Sequence, residues 1–156
     1  MQMIRDTQEK ADREVAVFLD FLARSGLSIS PESVQKRQPP EPDILCEHSL
    51  DGPTAFELIE LCDELVAETF SEREPEPASA MWLGGPNLGK VAAKFTKLYA
   101  TNAPIELLCY TSGRLVTPDS VLIPIIHHEL DFSTQTKFQR VWYMGEQQVT
   151  LLYDAR

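Results

Sequence analysis

Two apolar segments around a short Gly/Pro turn constrain the fold of this chain more than any other feature. The segments cover residues 41–46 and 55–60, and the linker at residues 49–53 is rich in turn residues. Apolar runs of this length on either side of a turn are typical of paired β-strands. The sequence therefore predicts a β-hairpin with an acidic residue in each strand, Asp43 in the first and Glu57 in the second.

Asp43 and Glu57 are candidate metal ligands. In a hairpin the two side chains can lie near each other, and carboxylates on neighbouring strands form a hard-oxygen site that suits Mg²⁺ or Mn²⁺. Side chains alternate along a strand, so Glu57 and Ile59 share one face, and Leu58 and Glu60 the other. Interior carboxylates are costly unless a cation compensates them. A metal ion or a lysine is therefore expected beside the pair.

Size and charge narrow the class of protein. A chain of 156 residues is expected to be one domain, residues 1–156. It has neither a run of ~18 apolar residues nor an apolar signal segment, so we expect a cytoplasmic protein that does not enter the membrane. The net charge of −10 argues against a protein that coats nucleic acid through a broad basic surface. An enzyme with a local cation patch and a bound metal remains compatible with that charge.

The other elements follow from apolar spacing and from Gly/Pro breaks. Three helices are predicted, at residues 4–25, 86–99 and 118–131. Five strands are predicted, at residues 42–47, 54–62, 105–110, 139–144 and 147–153. Residues 27–41 are expected to be a loop, and residues 64–85 a long mobile loop. This order predicts an α/β domain in which helices flank both faces of a mixed central sheet.

Lysines on the second predicted helix have two interpretations. Lys90, Lys94 and Lys97 form a stripe along residues 86–99. Such a stripe is commonly the solvated face of a helix. The helix follows the second strand of the hairpin, however, and can instead present Lys90 or Lys94 to the carboxylate pair.

Cysteines and aromatic residues have structural readings. Cys46, Cys62 and Cys109 are an odd number at scattered spacing, which is typical of buried small hydrophobic residues rather than a disulfide framework. Trp142 and Tyr143 alternate on a predicted strand. One of them is therefore expected in the core and the other at the surface or at an interface, which permits a homodimer.

These residues resemble the PD-(D/E)xK superfamily of restriction-endonuclease-like nucleases. The similarity lies in Pro42-Asp43 on one strand and Glu57 on the next, after a helix and before a helix and a strand. Segments at residues 94–99, 104–110 and 140–143 are similar to uncharacterised bacterial members of that fold. The resemblance covers about residues 10–145. It implies an αβββαβ core with a mixed central sheet and helices on both faces.

The resemblance also implies phosphodiester hydrolysis of DNA or RNA. Asp43, Glu57 and the carbonyl of Leu58 would hold Mg²⁺ or Mn²⁺, which stabilises charge on the phosphate and lowers the pKa of a bound water. Glu14 on the first helix would complete the site, as a first-helix acid does in some relatives. Its alternative is a surface glutamate at the edge of an amphipathic face.

The chain departs from the motif at one position. The motif lysine belongs two residues after the glutamate, where this chain has Ile59. Some members supply the lysine from the following helix, which implies Lys94, or Lys90 one turn earlier. The departure and the net charge also leave a second interpretation: a catalytically inactive nuclease-like fold that acts as a binding or regulatory module. An acidic module of this kind can cover the basic surface of a protein partner.

Overall fold

The computed structural model describes residues 2–62, 87–115, 117–130 and 137–156, and the predicted mobile loop at residues 64–85 lies outside them. The described chain is mixed α/β with three α-helices, as the sequence predicts, and its sheet has six strands where the sequence predicts five. The helices are α1 (Gln2–Ser25), α2 (Leu88–Thr96) and α3 (Asp119–Glu129). None of these described helices combines the length and the apolarity that crossing a membrane requires.

The six strands lie in the sheet in chain order. They are β1 (Gln35–Lys36), β2 (Ile44–His48), β3 (Gly52–Glu60), β4 (Ile105–Tyr110), β5 (Arg140–Met144) and β6 (Val149–Asp154). The first three strands pair antiparallel, β3, β4 and β5 pair parallel, and β6 returns antiparallel to β5. Parallel neighbours need a crossover connection. Helices α2 and α3 lie in the two crossovers, so the sheet changes from a meander to a parallel arrangement at β3.

Helices cover both faces of the sheet, as predicted. Helix α1 packs on one face, where the ring of Phe18 lies 4.8 Å from that of Phe56 and the ring of Phe21 lies 5.4 Å from that of Trp142. On the other face, α2 and α3 contribute buried apolar side chains to a second core, Val91, Phe95, Leu122 and Ile126. Every residue of β4 is buried, as expected of a central strand that is covered on both faces.

The predicted hairpin is formed by β2 and β3. Its register pairs Ile44 with Phe56 and His48 with Gly52. Gly52 has φ of 74°, a left-handed conformation that a residue without Cβ adopts at little cost. One step beyond the Ile44–Phe56 pair, the same register brings Asp43 opposite Glu57.

The predicted loop at residues 27–41 contains regular structure that the sequence did not reveal. A short 3₁₀ helix, Pro31–Ser33, is followed by β1, which pairs Lys36 with Ile44 at the edge of the sheet. A two-residue polar edge strand buries no apolar face, so it has no alternating pattern to detect. This missed strand places Lys36 beside the start of β2.

The prediction for Trp142 and Tyr143 was wrong, because both side chains are buried, with 9% and 0% of their surface exposed. Strand β5 lies between two other strands and under helices on both faces, so alternation does not bring either ring to the surface. The three cysteines are buried and free, as predicted. Neither Trp142 nor Tyr143 is exposed enough to form an interface between two copies of the chain. The homodimer stays a prediction.

Candidate functional site

The hairpin brings Asp43 and Glu57 into direct contact. The backbone N–H of Asp43 donates to Oε1 of Glu57 at 3.1 Å. The backbone N–H of Leu58 donates to Oδ2 of Asp43 at 2.9 Å. Strand β2 begins one residue after Asp43, so the Asp43 carboxylate accepts a bond from β3 where the backbone ladder has ended. Both carboxylates are thus fixed at the end of the sheet by backbone donors.

Helix α2 supplies a lysine to this pair. Nζ of Lys94 lies 2.9 Å from Oε2 of Glu57, and the hydroxyl of Tyr99 donates to the same oxygen at 3.0 Å. Lys97 lies further away, with 3.8 Å between its Nζ and the same Oε2. Lys90 forms no ion pair with Glu57, although it lines the adjacent cavity. Of the two lysines proposed from the sequence, the structure therefore places Lys94 at the carboxylates and Lys90 at a distance.

Ile59 occupies the core instead of the site. It lies on the same face of β3 as Glu57 and packs in the cluster that contains Val91 and Phe95 of α2. A lysine at position 59 would have to leave its ammonium group among these apolar side chains. The position two residues after Glu57 is therefore used for packing, and the cation comes from another element.

Glu14 and Lys36 complete the cluster from the other side of Asp43. Nζ of Lys36 lies 3.3 Å from Oδ1 of Asp43 and 3.4 Å from Oε2 of Glu14. Glu14 is buried, whereas its other ion-pair partner Lys10 is largely exposed, at 3.8 Å. The interpretation of Glu14 as a surface glutamate is therefore wrong. Tyr99 was not among the site residues predicted from the sequence, because it lies just after a helix.

The carboxylates differ in how readily they hold a proton. Burial, and then the nearby Asp43 carboxylate, raise the pKa of Glu57 despite the Lys94 ammonium. Burial and Asp43 likewise raise the pKa of Glu14, against the effect of Lys36. Burial also opposes ionisation of Asp43, but its hydrogen bonds with Glu57 and Leu58 and the Lys36 ammonium outweigh burial and lower its pKa. Asp43 is therefore the most acidic member of the cluster.

A cavity of about 1010 Å³ opens next to these residues, at the carboxyl ends of β3 and β4. Ligands of open α/β sheets commonly bind at this end of the strands. The cavity is lined by Glu14, Asp43 and Glu60 and by five cationic side chains, Lys10, Arg13, Lys90, Lys94 and Arg114. Glu60 is held by Arg114, with 2.8 and 2.9 Å between nitrogen and oxygen atoms. In a protein of net charge −10, this wall is a local concentration of positive charge.

The donor set at the cavity matches a hard divalent cation in its chemistry. Glu14, Asp43 and Glu57 offer carboxylate oxygens, which Mg²⁺ and Mn²⁺ prefer. Oε2 of Glu14 is buried and has no hydrogen-bond partner. In the arrangement described here, no group of three or more acidic, histidine or cysteine side chains within residues 2–62, 87–115, 117–130 and 137–156 is spaced to hold a metal ion. The ammonium groups of Lys36 and Lys94 lie against the carboxylates instead.

A second buried carboxylate lies on the α1 face of the sheet and was not predicted. Oε2 of Glu106 accepts from Nη2 of Arg140 at 2.9 Å, and Oε1 accepts from the indole N–H of Trp142 at 2.8 Å. Nε of Arg140 lies 2.7 Å from Oε1. Each oxygen of Glu106 therefore has a protein partner, and all three residues are buried.

No family model, no curated protein and no solved structure matches the chain.

Proposed function

We propose that this protein is a Mg²⁺- or Mn²⁺-dependent nuclease that hydrolyses phosphodiester bonds of DNA or RNA. The observation that carries the proposal is the contact of 2.9 Å between Lys94 of α2 and Glu57, beside Asp43. The motif of the PD-(D/E)xK superfamily, which this sequence resembles, includes a lysine two residues after the glutamate. This chain has Ile59 at that position. The contact between Lys94 of α2 and Glu57 would provide the cation that the motif lysine provides in the superfamily.

The order of elements supports the same proposal. Among the residues that the structure describes, the α-helices and strands from α1 to β4 are a helix, three strands, a helix and a strand. This order is compatible with the αβββαβ core that the resemblance implies. Fold alone does not establish an activity, so the argument depends on the site.

The lining of the cavity favours a polyanionic substrate. Cationic side chains reach it from three separate elements: Lys10 and Arg13 from α1, Lys90 and Lys94 from α2, and Arg114 after β4. Phosphate groups bind to lysine and arginine through charge-assisted hydrogen bonds. A local patch of this kind allows an acidic protein to meet a nucleic-acid backbone without a broad basic surface.

The residues have distinct roles in the proposed reaction. Asp43, Glu57 and the carbonyl of Leu58 would hold the metal ion, and Glu14 would add a further carboxylate. The ion would supply charge stabilisation at the phosphate and a more acidic bound water. Lys94 would neutralise charge that develops on the scissile phosphate and orient the attacking water. Tyr99 fixes the Glu57 carboxylate through its hydroxyl and is a positioning residue.

A cleavage assay tests the proposal. The protein is incubated with Mg²⁺ or Mn²⁺ and with linear double-stranded DNA, single-stranded DNA and RNA. We expect metal-dependent cleavage of at least one substrate, reduced at least about 100-fold by Asp43→Asn and by Lys94→Met. Glu47→Gln is the matched control, because Glu47 is an exposed acid on the same strand β2. Cleavage that survives in Asp43→Asn would assign the activity to a contaminant and reject the proposal.

A second candidate is a catalytically inactive nuclease-like fold that binds a protein partner. The observation that favours it is the position of Lys36, whose ammonium already neutralises Asp43 and Glu14 without a metal. This candidate expects no cleavage with any substrate and no Mn²⁺ binding that depends on Asp43. The cytoplasmic location and the substrate class stay predictions under both candidates.

A further inference from the structure

The Lys36 ammonium is surrounded by oxygen atoms. Its Nζ lies 3.3 Å from Oδ1 of Asp43 and 3.4 Å from Oε2 of Glu14. It also donates to the carbonyl oxygens of Arg37 at 2.9 Å and of Asp43 at 3.3 Å. These four oxygens, two from carboxylates and two from the backbone, are called the oxygen cage below. Carboxylates combined with backbone carbonyls are a ligand set that proteins use for hard divalent cations.

The oxygen cage contains one oxygen more than an ammonium group satisfies. An ammonium has three N–H donors. Lys36 directs them to Oδ1 of Asp43 and to the two carbonyls. Oε2 of Glu14 is left at ion-pair distance with no hydrogen bond, on a side chain of which only 9% is exposed. A divalent ion takes about six oxygen ligands or more, so it would use the oxygen that Lys36 leaves unpaired.

Lys36 also has a route out of the cage. It lies on β1, a two-residue strand at the edge of the sheet, and 18% of its side chain is exposed. Edge strands of this length contribute few backbone hydrogen bonds, and a lysine side chain is long and flexible. The ammonium can therefore move to solvent without disturbing the β2–β3 hairpin that fixes Asp43.

We propose that Lys36 competes with a divalent metal ion for the oxygen cage, so that metal loading requires the Lys36 ammonium to leave. This inference rests on the proposed metal-dependent function, because the Asp43 and Glu14 carboxylates of the oxygen cage are also ligands of the proposed metal ion, and it adds a control of metal affinity to that function. In the metal-free protein the ammonium offsets the repulsion between Glu14 and Asp43. When the ion enters, it takes over that role, and Lys36 becomes free to face the cavity and its anionic ligand.

Calorimetric titration with Mn²⁺ tests the competition. The Lys36→Met variant keeps the apolar stem and removes the competing charge. We expect its Kd for Mn²⁺ to be at least about tenfold lower than that of the natural chain, because a cation next to the site opposes a second one. Lys90→Met is the matched control, since it removes one charge from the wall of the same cavity without touching Glu14 or Asp43. Its Kd is expected to change less than about threefold.

Chemical reactivity of lysines gives a second readout on the natural chain, which needs no variant. Acetic anhydride at a substoichiometric dose labels amines in proportion to their access, and peptide mass spectrometry reports each lysine separately. We expect saturating Mn²⁺ to raise the labelling of Lys36 several-fold and to leave that of Lys10 nearly unchanged, because the Lys10 side chain is already 71% exposed without the metal. Labelling of Lys36 that stays constant or falls while Mn²⁺ binds would overturn the competition.

The outcomes separate the failure of this inference from the failure of the proposed nuclease. Tighter Mn²⁺ binding by Lys36→Met that is lost in the double variant with Asp43→Asn supports the competition, even if no substrate is cleaved. Equal Kd values for the natural chain and Lys36→Met, again with loss in Asp43→Asn, reject the competition and retain the metal site. Absence of Mn²⁺ binding in both proteins rejects the competition and the metal-dependent function together.

Discussion

Glu57 and Glu106 lie on neighbouring strands of one sheet, with 3% and 1% of their surface exposed, yet their surroundings differ. Glu106 faces α1 and is held by one guanidinium and one indole, with each oxygen paired. Glu57 faces α2 and belongs to a group of three carboxylates and two lysines beside a cavity. In that group one carboxylate oxygen, Oε2 of Glu14, lacks a hydrogen bond.

The contrast distinguishes a carboxylate that serves folding from one that is available for chemistry. A closed cluster with matched charges and no access to solvent contributes to a unique arrangement of the strands. An open cluster, in which carboxylates crowd one another beside a cavity, holds displaced pKa values and is accessible to a ligand. Depth of burial alone does not separate the two, because both glutamates are buried. The number of unsatisfied oxygens and the adjacent cavity separate them.

The largest expected effect comes from opening the closed cluster. Arg140→Met leaves the buried Glu106 carboxylate without its cation, and we expect a loss of about 3–5 kcal/mol in the free energy of unfolding. Urea denaturation followed by circular dichroism measures it. Arg156→Met is the control, because Arg156 pairs with Asp51 at the surface. Its loss should stay below about 1 kcal/mol, and equal losses in both variants would contradict the distinction between buried and exposed pairs.

Asp119 is a further buried carboxylate and is held by neutral donors. Asp119, at the start of α3, accepts from the Tyr143 hydroxyl at 2.6 Å and from the backbone N–H of Gln147 at 3.0 Å. A Cβ at Gly145 would overlap the Asp119 carboxylate. Gly145→Ala is therefore expected to cost about 1–3 kcal/mol of stability, measured by the same denaturation.

Gly89→Ala is expected to raise the stability that Gly145→Ala lowers, in the same denaturation experiment. Gly89 lies within α2, and a Cβ there meets no other atom within 4 Å. We expect this variant to gain up to about 1 kcal/mol, because alanine is the better helix former. A loss of stability in Gly89→Ala similar to that in Gly145→Ala would show that the overlap with Asp119 is not the cause.

The open cluster should be recognisable by the pH dependence of stability. The pKa of Glu57 is raised in the folded protein, so the folded state binds more protons than the unfolded one above the ordinary pKa of 4.5. The free energy of unfolding therefore falls as pH rises from 4.5 through the folded pKa. We expect Glu57→Gln to flatten this fall in denaturation curves between pH 4.5 and 7.5.

Asp43 should show the opposite sign. Its pKa is lowered from 3.8, so its stabilising contribution is present above pH 3.8 and is lost as pH falls through the folded pKa. Asp43→Asn should therefore lose stability at neutral pH relative to the natural chain and lose little at the acid end. Parallel pH profiles for both variants would contradict the assignment of Asp43 as the more acidic partner.

The smallest effect separates the two lysines that approach Glu57. Lys94→Met removes a contact of 2.9 Å from a largely buried pair, and we expect a loss of about 1 kcal/mol. Lys97 is 3.8 Å away and nearly half exposed, so Lys97→Met should cost less than about 0.5 kcal/mol. Thermal unfolding monitored in parallel measures the difference. Equal losses would mean that both lysines share the carboxylate.

The sequence predicted the elements whose apolar pattern is strong. The β2–β3 hairpin, the fully buried β4 and the three helices agree with the structure to within a few residues. Contact between Asp43 and Glu57 also follows from the sequence, because hairpin register fixes which residues are opposite. The sequence predicted that Lys94 or Lys90 would reach the carboxylates, but it did not decide between them. The choice depends on the rotation of α2, which is set by how Val91 and Phe95 pack in the core.

Residues whose role depends on long-range packing were not predictable. The placement of Lys36 beside Asp43 and Glu14 could not be predicted, because its strand has two residues and no apolar face. In the sequence, Glu106 is a single polar residue within an apolar run. Its partners Arg140 and Trp142 lie on β5 and come next to it only because β4 pairs with β5. Polar residues on central strands acquire partners through strand order, which the local sequence does not contain.

The contact between Lys94 and Glu57, which are 37 residues apart, bears on how such proteins diverge. When acid and cation belong to different elements, insertions and deletions between them leave the chemistry intact, provided that the helix returns to the same face of the sheet. Position 59 is then free to vary with the core rather than with the carboxylate pair. We expect a search by the spatial arrangement of an aspartate, a glutamate and a lysine to recognise such chains where a search for a contiguous motif does not.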